Sequence, residues 1–205
     1  MARKESKGKS PERRAEIIDA FYRCIAKRGY SSTSVRDIAA EANIKASAIY
    51  YYFENKDDIL YTLADHILDS YRRQFQNFLQ REQHKPPGER LTLGIQFLFT
   101  KIAGDRDLIE VFYELFNLAR HDERLRRSLR RLYRRYREEV AEFILKCVRG
   151  SNLSAETARS LAAFMVSASE GVSEQWNLDP KGIRLSTMAD MAGRFVEYAV
   201  DAGNM

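Results

Sequence analysis

Short polar, basic and aromatic side chains are concentrated between Ser34 and Lys56, in the segment SVRDIAAEANIKASAIYYYFENK. If this segment is helical, its outward side chains include Arg36, Lys45, Ser47, Tyr50 and Tyr51. Their hydroxyl, ammonium and guanidinium groups are donors that suit phosphate oxygens and base edges. Ala46 and Ser47 on the same outer surface have short side chains, so a helix that carries them can lie deep in a major groove. The chemistry that this segment favours is recognition of duplex DNA.

Two short helices joined by a tight turn would position these side chains. Ser34 and Asp37 have the spacing of a capping box, so the first helix should begin at Ser34 or one residue before it. The inward stripe of this helix comprises Val35, Ile38, Ala39 and Ala42. Asn43 follows, and asparagine tolerates the left-handed backbone that a turn between two helices requires.

The second helix resumes the helical pattern after this turn. The side chains that can pack inward are Ala48, Ile49, Tyr52 and Phe53. The side chains that stay near the outer surface are Lys45, Ala46, Ser47, Tyr50 and Tyr51. Paired amphipathic helices of this kind also occur in all-α proteins that bind no DNA, so spacing alone leaves both interpretations open.

The stretch IYYYFENKDDIL is a more specific signal. It resembles the end of the DNA-binding domain in the TetR family of bacterial repressors, at Ile49, Tyr50, Tyr52, Phe53, Lys56, Asp57 and Leu60. Upstream, the same resemblance includes Gly29, Tyr30, Thr33, Val35, Arg36, Asp37, Ile38, Ala39 and Ala42. The resemblance covers about residues 13 to 63. The chain departs from the family pattern at three positions: the family commonly has Gly in place of Asn43, Ser in place of Lys45, and often Gly in place of Ser47. The resemblance therefore does not imply an operator sequence.

The outward stripe and the resemblance together indicate how this segment contacts a palindromic operator in double-stranded DNA. We expect contacts to base edges from Lys45, Ser47 and Tyr51. We expect contacts mainly to phosphates from Ser34, Tyr50 and Lys56. The remaining candidate, Arg36, can make either kind of contact.

Length, charge and cysteine content limit the class of protein. The 205 residues, 44% of them hydrophobic, suffice for one all-α unit or two packed subdomains, and the net charge of +5 favours a polyanionic partner only weakly. No stretch approaches the roughly 18 apolar residues of a membrane span, and no signal peptide is recognised, so we expect no membrane partner and a cytoplasmic protein. Cys24 and Cys147 lie on apolar stripes and are expected to be buried free thiols.

The expected DNA-binding domain comprises residues 1–55. Residues 1–9 should form a disordered basic arm, which either serves only solubility or binds phosphates or a minor groove. Ser10 followed by Pro11 predicts the start of a first helix at about 11–28, and Gly29 predicts its end. This helix should form the floor on which the helix-turn-helix packs.

The second expected domain, 56–205, begins with a long fourth helix that ends before the prolines of KPPGE at 85–89. Five more helices are predicted at about 88–103, 106–120, 122–149, 154–177 and 184–201, which makes the fold all-α with about nine helices. In the helix at 122–149, the face outside the apolar stripe is covered by Arg124, Arg126, Arg127, Arg130, Arg131, Arg134, Arg135 and Arg137. A solvated face and a second surface for an acidic partner are both compatible with them.

The resemblance implies that the second domain binds a small effector and forms a homodimer. In the TetR family the last two helices pair with those of a second subunit, and the matching candidates here are Ala162, Met165, Ser169, Met188, Ala192 and Phe195. The alternative is that both helices bury within their own subunit. The many aromatic residues of helices four to eight predict a largely hydrophobic pocket for an aromatic or acyl-chain molecule. Its candidate lining is Phe97, Lys101, Phe112, Phe116, His121, Tyr136 and Glu170.

The sequence lacks the common catalytic patterns. His66, His84 and His121 have no metal-ligand spacing, and neither a Gly-rich phosphate loop nor a G-x-S-x-G motif occurs, so we expect no metal, no cofactor and no enzymatic activity. The sequence and the resemblance therefore predict a ligand-responsive repressor that a small hydrophobic effector releases from its operator. A helical protein-interaction module, or an activator with the same fold, is the alternative.

Overall fold

The computed structural model describes residues 10–148 and 152–202, and these ranges contain nine α-helices, one π-helical segment and no strand. The helices are α1 (Pro11–Arg28), α2 (Val35–Glu41), α3 (Ala46–Tyr52), α4 (Lys56–Arg81), α5 (Pro87–Gln96), α6 (Arg106–Ala119), α7 (Glu123–Cys147), α8 (Ala155–Leu178) and α9 (Leu185–Ala202). The predicted all-α fold is confirmed. The predicted basic arm, residues 1–9, lies outside the described residues.

Local capping signals set several helix ends. The Ser10 hydroxyl accepts a hydrogen bond from the backbone N–H of Arg13, and Pro11 occupies the first turn of α1. Gly29 ends α1 with φ +77°, a value that favours glycine. Ser154 caps α8 in the same way as Ser10 caps α1, because its hydroxyl accepts from the N–H of Thr157 at 3.0 Å.

The helix predicted at about 88–103 is helical from Pro87 to Ile102, but its second half is π-helical rather than α-helical. After α5 the chain continues as a π-helical segment, Phe97–Ile102, whose wider turn leaves three consecutive side chains, Phe97, Leu98 and Phe99, buried. A regular α-helix with one apolar stripe would expose at least one of them. Hydrophobic periodicity does not distinguish the two helix types, so the π-helical character of this segment could not be predicted from it.

The described residues form two compact units. The first contains the residues up to Ile67 together with Glu110–Leu129, and the second contains Leu68–Ile109 together with the residues from 130 onward. The residues of α4, α6 and α7 are therefore divided between the units. The functional division at 55/56 stays a prediction, because compactness and function need not share a boundary.

The first unit buries the apolar faces of α1, α2 and α3. Its core includes Ile17, Phe21, Cys24, Ile38, Ile49, Phe53, Val111, Leu115 and Leu125, each at most 2% exposed. Cys24 is a buried free thiol, as expected. The predicted inward stripes of α2 and α3 thus supply the core, and their opposite faces are left to solvent.

The second unit is built around α5, the π-helical segment, α7, α8 and α9. Its core includes Leu91, Ile95, Leu98, Phe99, Ile144, Cys147, Leu161, Ala162, Met165, Ala189 and Val196. Cys147 is also a buried free thiol. Within the described ranges, no helix combines the length and the apolar character needed to cross a bilayer.

Candidate DNA-reading face and ligand cavity

The turn between α2 and α3 has the geometry that its residues predict. The Ser34 hydroxyl accepts from the Asp37 N–H at 3.2 Å, and the Asp37 carboxylate accepts from the Ser34 N–H at 2.8 Å, which confirms the capping box. The hydrogen bonds from Ser34, together with the nearby Arg28 charge, lower the pKa of Asp37. Asn43 adopts φ +52°, so the expected left-handed turn residue is also confirmed.

One face of α3 is exposed to solvent while the other is buried. Ile49 and Phe53 are 1% and 2% exposed, whereas Tyr50 and Tyr51 are 59% and 51% exposed. Ser47 and Lys45 are exposed as well, and so are Ser34 and Arg36 at the start of α2. The six exposed side chains of the predicted DNA-contacting set are thus available at the surface, and the apolar anchors of α3 fix the helix beneath them.

The carboxylates of α2 are paired with bases of α1. Arg28 lies 3.0 Å from Asp37, and Arg23 lies 2.6 Å from Glu41. The hydrogen bond from Arg23 is the main cause of the lowered pKa of Glu41. Exposed ion pairs of this kind add little stability, but they offset negative charge beside the face that would meet phosphates.

Lys56 is placed differently from the other predicted contacts. Its Nζ donates to the carbonyl oxygens of Tyr30 and Thr33, both at 2.9 Å, and lies 3.9 Å from the centroid of the Tyr30 ring. The side chain is half-buried. An ammonium group has three N–H donors, so two of them fix the α1–α2 loop to the start of α4. Lys56 therefore positions the loop that leads into α2.

The loop before α2 is also bound by α6. The backbone N–H of Tyr30 donates to a carboxylate oxygen of Glu114 at 3.0 Å, and the Tyr30 hydroxyl donates to Asp57. A Cβ at Gly29 would lie 3.1 Å from the Glu114 carboxylate, so glycine permits this approach. Burial, with the Asp57 contact, raises the pKa of Tyr30, which stays protonated at neutral pH. Glu114 is thus tied to the helix-turn-helix within the first unit.

The second unit contains a cavity of about 60 Å³, lined by α4, α5, the π-helical segment, α7 and α8. Its lining residues are Leu68, Tyr71, Arg72, Phe75, Gly94, Ile95, Phe97, Leu98, Ile102, Tyr136, Glu139, Val140, Phe143, Ile144 and Met165. The Phe75 ring lies 5.0 Å from the Phe143 ring and 5.3 Å from the Phe97 ring, measured between centroids. An apolar, aromatic lining with few polar groups is typical of small-molecule sites.

Two polar groups stand out in this lining. The Tyr136 hydroxyl is buried, and no group in the described part of the chain forms a hydrogen bond with it. Burial raises the pKa of Tyr136, so the hydroxyl remains a neutral donor and acceptor. Glu139 lies 3.9 Å from Arg72, and burial is the main cause of its raised pKa. The cavity therefore offers a hydroxyl whose hydrogen-bonding capacity is unused.

The predicted pocket residues are not all brought together. Phe97 and Tyr136 line the cavity. Three others belong to the first unit: Phe112, Phe116 and His121. The side chain of Phe116 is 44% exposed, and that of His121 is also exposed. Lys101 points to solvent, and Glu170 is a partly buried acid that accepts a hydrogen bond from Tyr133. The predicted set is corrected accordingly, because spacing along each helix does not determine which helices face one another.

Sequence reasoning missed several residues that line the cavity. Phe75 and Phe143 belong to the apolar stripes of α4 and α7, so their burial was predictable, but their proximity was not. Gly94 gave no signal at all, although a Cβ there would lie 2.3 Å from Cε1 of Phe143. Its missing side chain makes room for the Phe143 ring.

The predicted dimer residues divide into two groups. Four of the six are buried in their own unit: Ala162, Met165, Ser169 and Ala192. Met188 is half-buried, and Phe195 is exposed, at 44%. The small residues of α8 pack against neighbours of the same chain, so this part of the prediction is corrected. The apolar side chains of α8 and α9 that remain exposed are Phe164, Leu178, Met191, Phe195 and Tyr198.

Comparison with known proteins identifies both halves of the chain. Residues 17–62 match the family model of bacterial regulatory proteins of the tetR family. Residues 87–201, more than half of the chain, match the model for the C-terminal domain of BetI-type transcriptional repressors. The first match contains the helix-turn-helix, and the second contains all of α5 to α8 and most of α9.

Individual relatives agree with this result. The chain is 32% identical over 114 residues to the HTH-type transcriptional regulator HbdR of Aromatoleum sp. (strain CIB). These 114 residues are 56% of the chain and about half (49%) of HbdR. It is 24% identical over 180 residues to the nicotine-responsive transcriptional repressor HdnoR of Paenarthrobacter nicotinovorans, covering 87% and 91% of the two chains. Its fold is similar to that of FadR from Bacillus subtilis in complex with stearoyl-CoA, with a TM-score of 0.67, 23% identity and coverage of 90% and 96%.

Proposed function

The chain belongs to the TetR family of bacterial regulatory proteins, and from this premise we propose that it is a dimeric repressor released from a palindromic operator by a small apolar effector. A DNA-binding transcriptional regulator is the function that the family supplies. The repressor mechanism, the operator symmetry and the effector are the parts that we add. The proposal includes no catalytic step, and it places the protein in the cytoplasm, where the bacterial chromosome lies.

The exposed face of α3 is the observation on which DNA binding rests. Ile49 and Phe53 anchor the helix, which leaves Tyr50 and Tyr51 at the surface beside Ser47 and Lys45. We assign base-edge contacts to Lys45, Ser47 and Tyr51. We assign phosphate contacts to Ser34 and Tyr50, with Arg36 able to bind either group. Lys56 supports these contacts by holding the loop before α2.

The cavity of the second unit is the proposed effector site. Its aromatic and aliphatic lining favours an apolar molecule, and the buried Tyr136 hydroxyl favours one polar oxygen or nitrogen on that molecule. Relatives respond to or bind molecules with an apolar part: HdnoR is named nicotine-responsive, and FadR was solved with stearoyl-CoA. These two ligands differ widely, so the relatives support the cavity's general character rather than one compound.

The exposed apolar residues of α8 and α9 are the proposed dimer interface. The rings of Phe164 and Phe195 lie 4.9 Å apart between centroids and are 53% and 44% exposed. Large apolar side chains that are exposed together in this way mark a surface that a partner covers. A second copy of the chain would cover it, and a two-fold dimer would present two copies of α3 to a palindrome.

Release by an effector follows from linkage. If the effector binds better to a conformation in which the two α3 helices do not fit the operator, DNA affinity falls by the same factor by which DNA weakens effector binding. Moving the population almost completely from one state to the other requires a preference of roughly 5 kcal/mol. The residues of α4, α6 and α7 divide between the two units, so these helices provide a covalent route for the change.

Fluorescence anisotropy with duplexes recovered from the source genome tests the proposal. We expect tight binding to one palindrome, weak binding to a scrambled duplex, and an affinity that falls steeply with salt as counterions are released. Adding the cognate effector should dissociate the complex. Equal affinity for both duplexes would instead favour the interaction-module alternative, and DNA binding that the ligand strengthens would favour an activator.

A further inference from the structure

The outward side of α7 has an unusual charge pattern. Between Glu123 and Glu138 the sequence of this helix contains eight arginines and no aspartate, glutamate or lysine. Exposed helix faces commonly alternate bases with acids, because opposite charges three or four residues apart stabilise a helix. Like charges at the same spacing repel each other and destabilise it. The positive charge of α7 therefore has a cost that an anionic partner would remove.

Part of this charge is compensated inside the chain. Arg126 lies 3.0 Å from Glu123, and Arg135 lies 3.3 Å from Asp69. Arginines in such ion pairs already have an anionic neighbour, and they need no other molecule to balance their charge.

Three arginines without such a neighbour, Arg127, Arg130 and Arg134, form the arginine face of α7. They are three and four residues apart on one continuous helix, so helical geometry places them on the same side of it. All three are exposed, and no carboxylate of residues 10–148 or 152–202 forms an ion pair with any of them. Their guanidinium groups are therefore accessible to an anion from another molecule.

Guanidinium groups suit phosphates in particular. Arginine presents a planar fork of N–H donors that binds two phosphate oxygens at once, whereas lysine offers a point charge. Arg127 and Arg134 are about 10 Å apart along the helix axis. One strand of duplex DNA places about three phosphates in the same rise. The charge density of the arginine face thus matches that of one DNA strand.

The composition of α7 favours duplex DNA over other polyanions. This helix has no exposed large hydrophobic side chain, although such side chains are exposed on α3, α6, α8 and α9. Membrane surfaces are bound through apolar side chains that enter the bilayer, protein interfaces are anchored mainly by aromatic side chains, and single strands stack on aromatic rings. A purely cationic face fits the phosphates of a duplex, and the family of this chain consists of DNA-binding regulators.

We propose that the arginine face of α7 is a second DNA-binding surface, which binds the phosphates of duplex DNA whatever their base sequence. The exposed face of α3 supplies sequence preference, and the arginine face adds affinity that depends on charge. This surface goes beyond the proposed function, because neither operator reading by α3 nor release by an effector requires it.

The test is the salt dependence of binding to a scrambled duplex, measured on the full chain by fluorescence anisotropy. The triple variant Arg127→Gln, Arg130→Gln, Arg134→Gln should weaken binding about tenfold or more at ~0.1 M salt. Its slope of log affinity against log salt should be shallower by about 2–3, because each neutralised phosphate contributes about 0.9. The ratio of operator to scrambled affinity should not change, since phosphate contacts carry no base information.

Two further variants separate charge at this face from net charge and from folding. Arg73→Gln, Arg81→Gln, Arg184→Gln removes three exposed positive charges elsewhere and should change the slope by less than one. The triple lysine variant of the arginine face keeps its charge and should keep the slope. The thermal midpoint of the triple glutamine variant should be equal to that of the wild type or higher, because repulsion between like charges is removed.

Three results would overturn the inference. The first is an equal change of slope in the two triple glutamine variants. The second is a lower ratio of operator to scrambled affinity, which would show that these arginines support base reading instead. The third concerns polyglutamate and phosphatidylglycerol vesicles, offered at the same charge concentration as the duplex: tighter binding of either one through the three arginines would assign the face to an acidic protein or to a membrane.

Discussion

The Lys56 ammonium lies 3.9 Å from the centroid of the Tyr30 ring and donates to the Tyr30 carbonyl at 2.9 Å. The first residue of α4 thereby holds the loop that leads into α2, and Glu114 holds the same loop through the Tyr30 N–H. The loop that leads into α2 is thus held from two sides within the first unit. A side chain that fixes a reading helix changes DNA affinity without touching DNA, which makes its effect separable from that of a phosphate contact.

Lys56→Met keeps an apolar stem near the Tyr30 ring but removes both donors to the carbonyls. We expect a loss of roughly 1.5–3 kcal/mol of stability for the first unit, seen as a lower thermal midpoint, since bonds from charged groups are the stronger ones. DNA affinity should fall by the same factor for operator and scrambled duplexes. The slope of log affinity against log salt should not change, because this account gives the ammonium no phosphate to neutralise.

A salt slope shallower by about one in Lys56→Met would instead show a direct phosphate contact. Lys181→Met, at an exposed lysine of the second unit, is the control for loss of one positive charge. It should change neither the thermal midpoint nor the slope.

Phe195→Arg should convert the dimer into a monomer at micromolar concentration, as measured by light scattering. The ring is 44% exposed, and its centroid lies 4.9 Å from that of Phe164, so a charge there meets solvent in the monomer but would be buried against a second copy. The helical content of the variant should be unchanged. Ala162→Arg should behave differently from Phe195→Arg, because Ala162 is fully buried and a charge there should unfold the second unit itself. A wild-type chain that is monomeric under the same conditions would refute the proposed interface.

Tyr136→Phe should weaken the response to the effector about tenfold or more while operator binding in its absence stays normal, because only the buried hydroxyl is lost. Phe116→Ala is the matched control. Phe116 is exposed and lies in the first unit, so this variant should respond at the wild-type concentration. The measurement is the effector concentration that dissociates half of the operator complex. Equal responses of Tyr136→Phe and wild type would place the ligand elsewhere.

Glu170 gives a prediction for pH. Burial is the main cause of its raised pKa, so the folded state holds the proton more tightly than the unfolded chain does. The favourable contribution of Glu170 to the free energy of unfolding is therefore fully present below its ordinary pKa near 4.5. It is lost as pH rises through the raised pKa that Glu170 has in the folded state. Glu170→Gln should raise the thermal midpoint at pH ~7, by about 2–4 °C for each ~1 kcal/mol gained, and should have no effect below pH ~4. The exposed Glu156→Gln should show no such pH-dependent gain.

Local signals predicted local structure well. Ser34 with Asp37, and Asn43 in the turn, act through atoms a few residues away, so their geometry follows from the residue types. The lining of the cavity and the proposed dimer surface could not be predicted in the same way, because they depend on which faces of distant helices meet. Phe116 and Tyr136 share the same aromatic character and helical periodicity, yet one is exposed and the other lines the cavity. On α8, small residues serve the unit's own core, and Phe164 carries the exposed apolar face.

Selection of genomic fragments by the purified chain, followed by affinity measurements on the recovered sequence, tests the central claim most directly. We expect the fragments to share a palindrome with half-sites about 34 Å apart or somewhat more, bound about a thousandfold or more tightly than a scrambled duplex. Lys45→Ala should alter the preference at one base position of each half-site by about 1–3 kcal/mol. Fragments without a common sequence, or equal affinity for palindrome and scramble at moderate salt, would contradict the account.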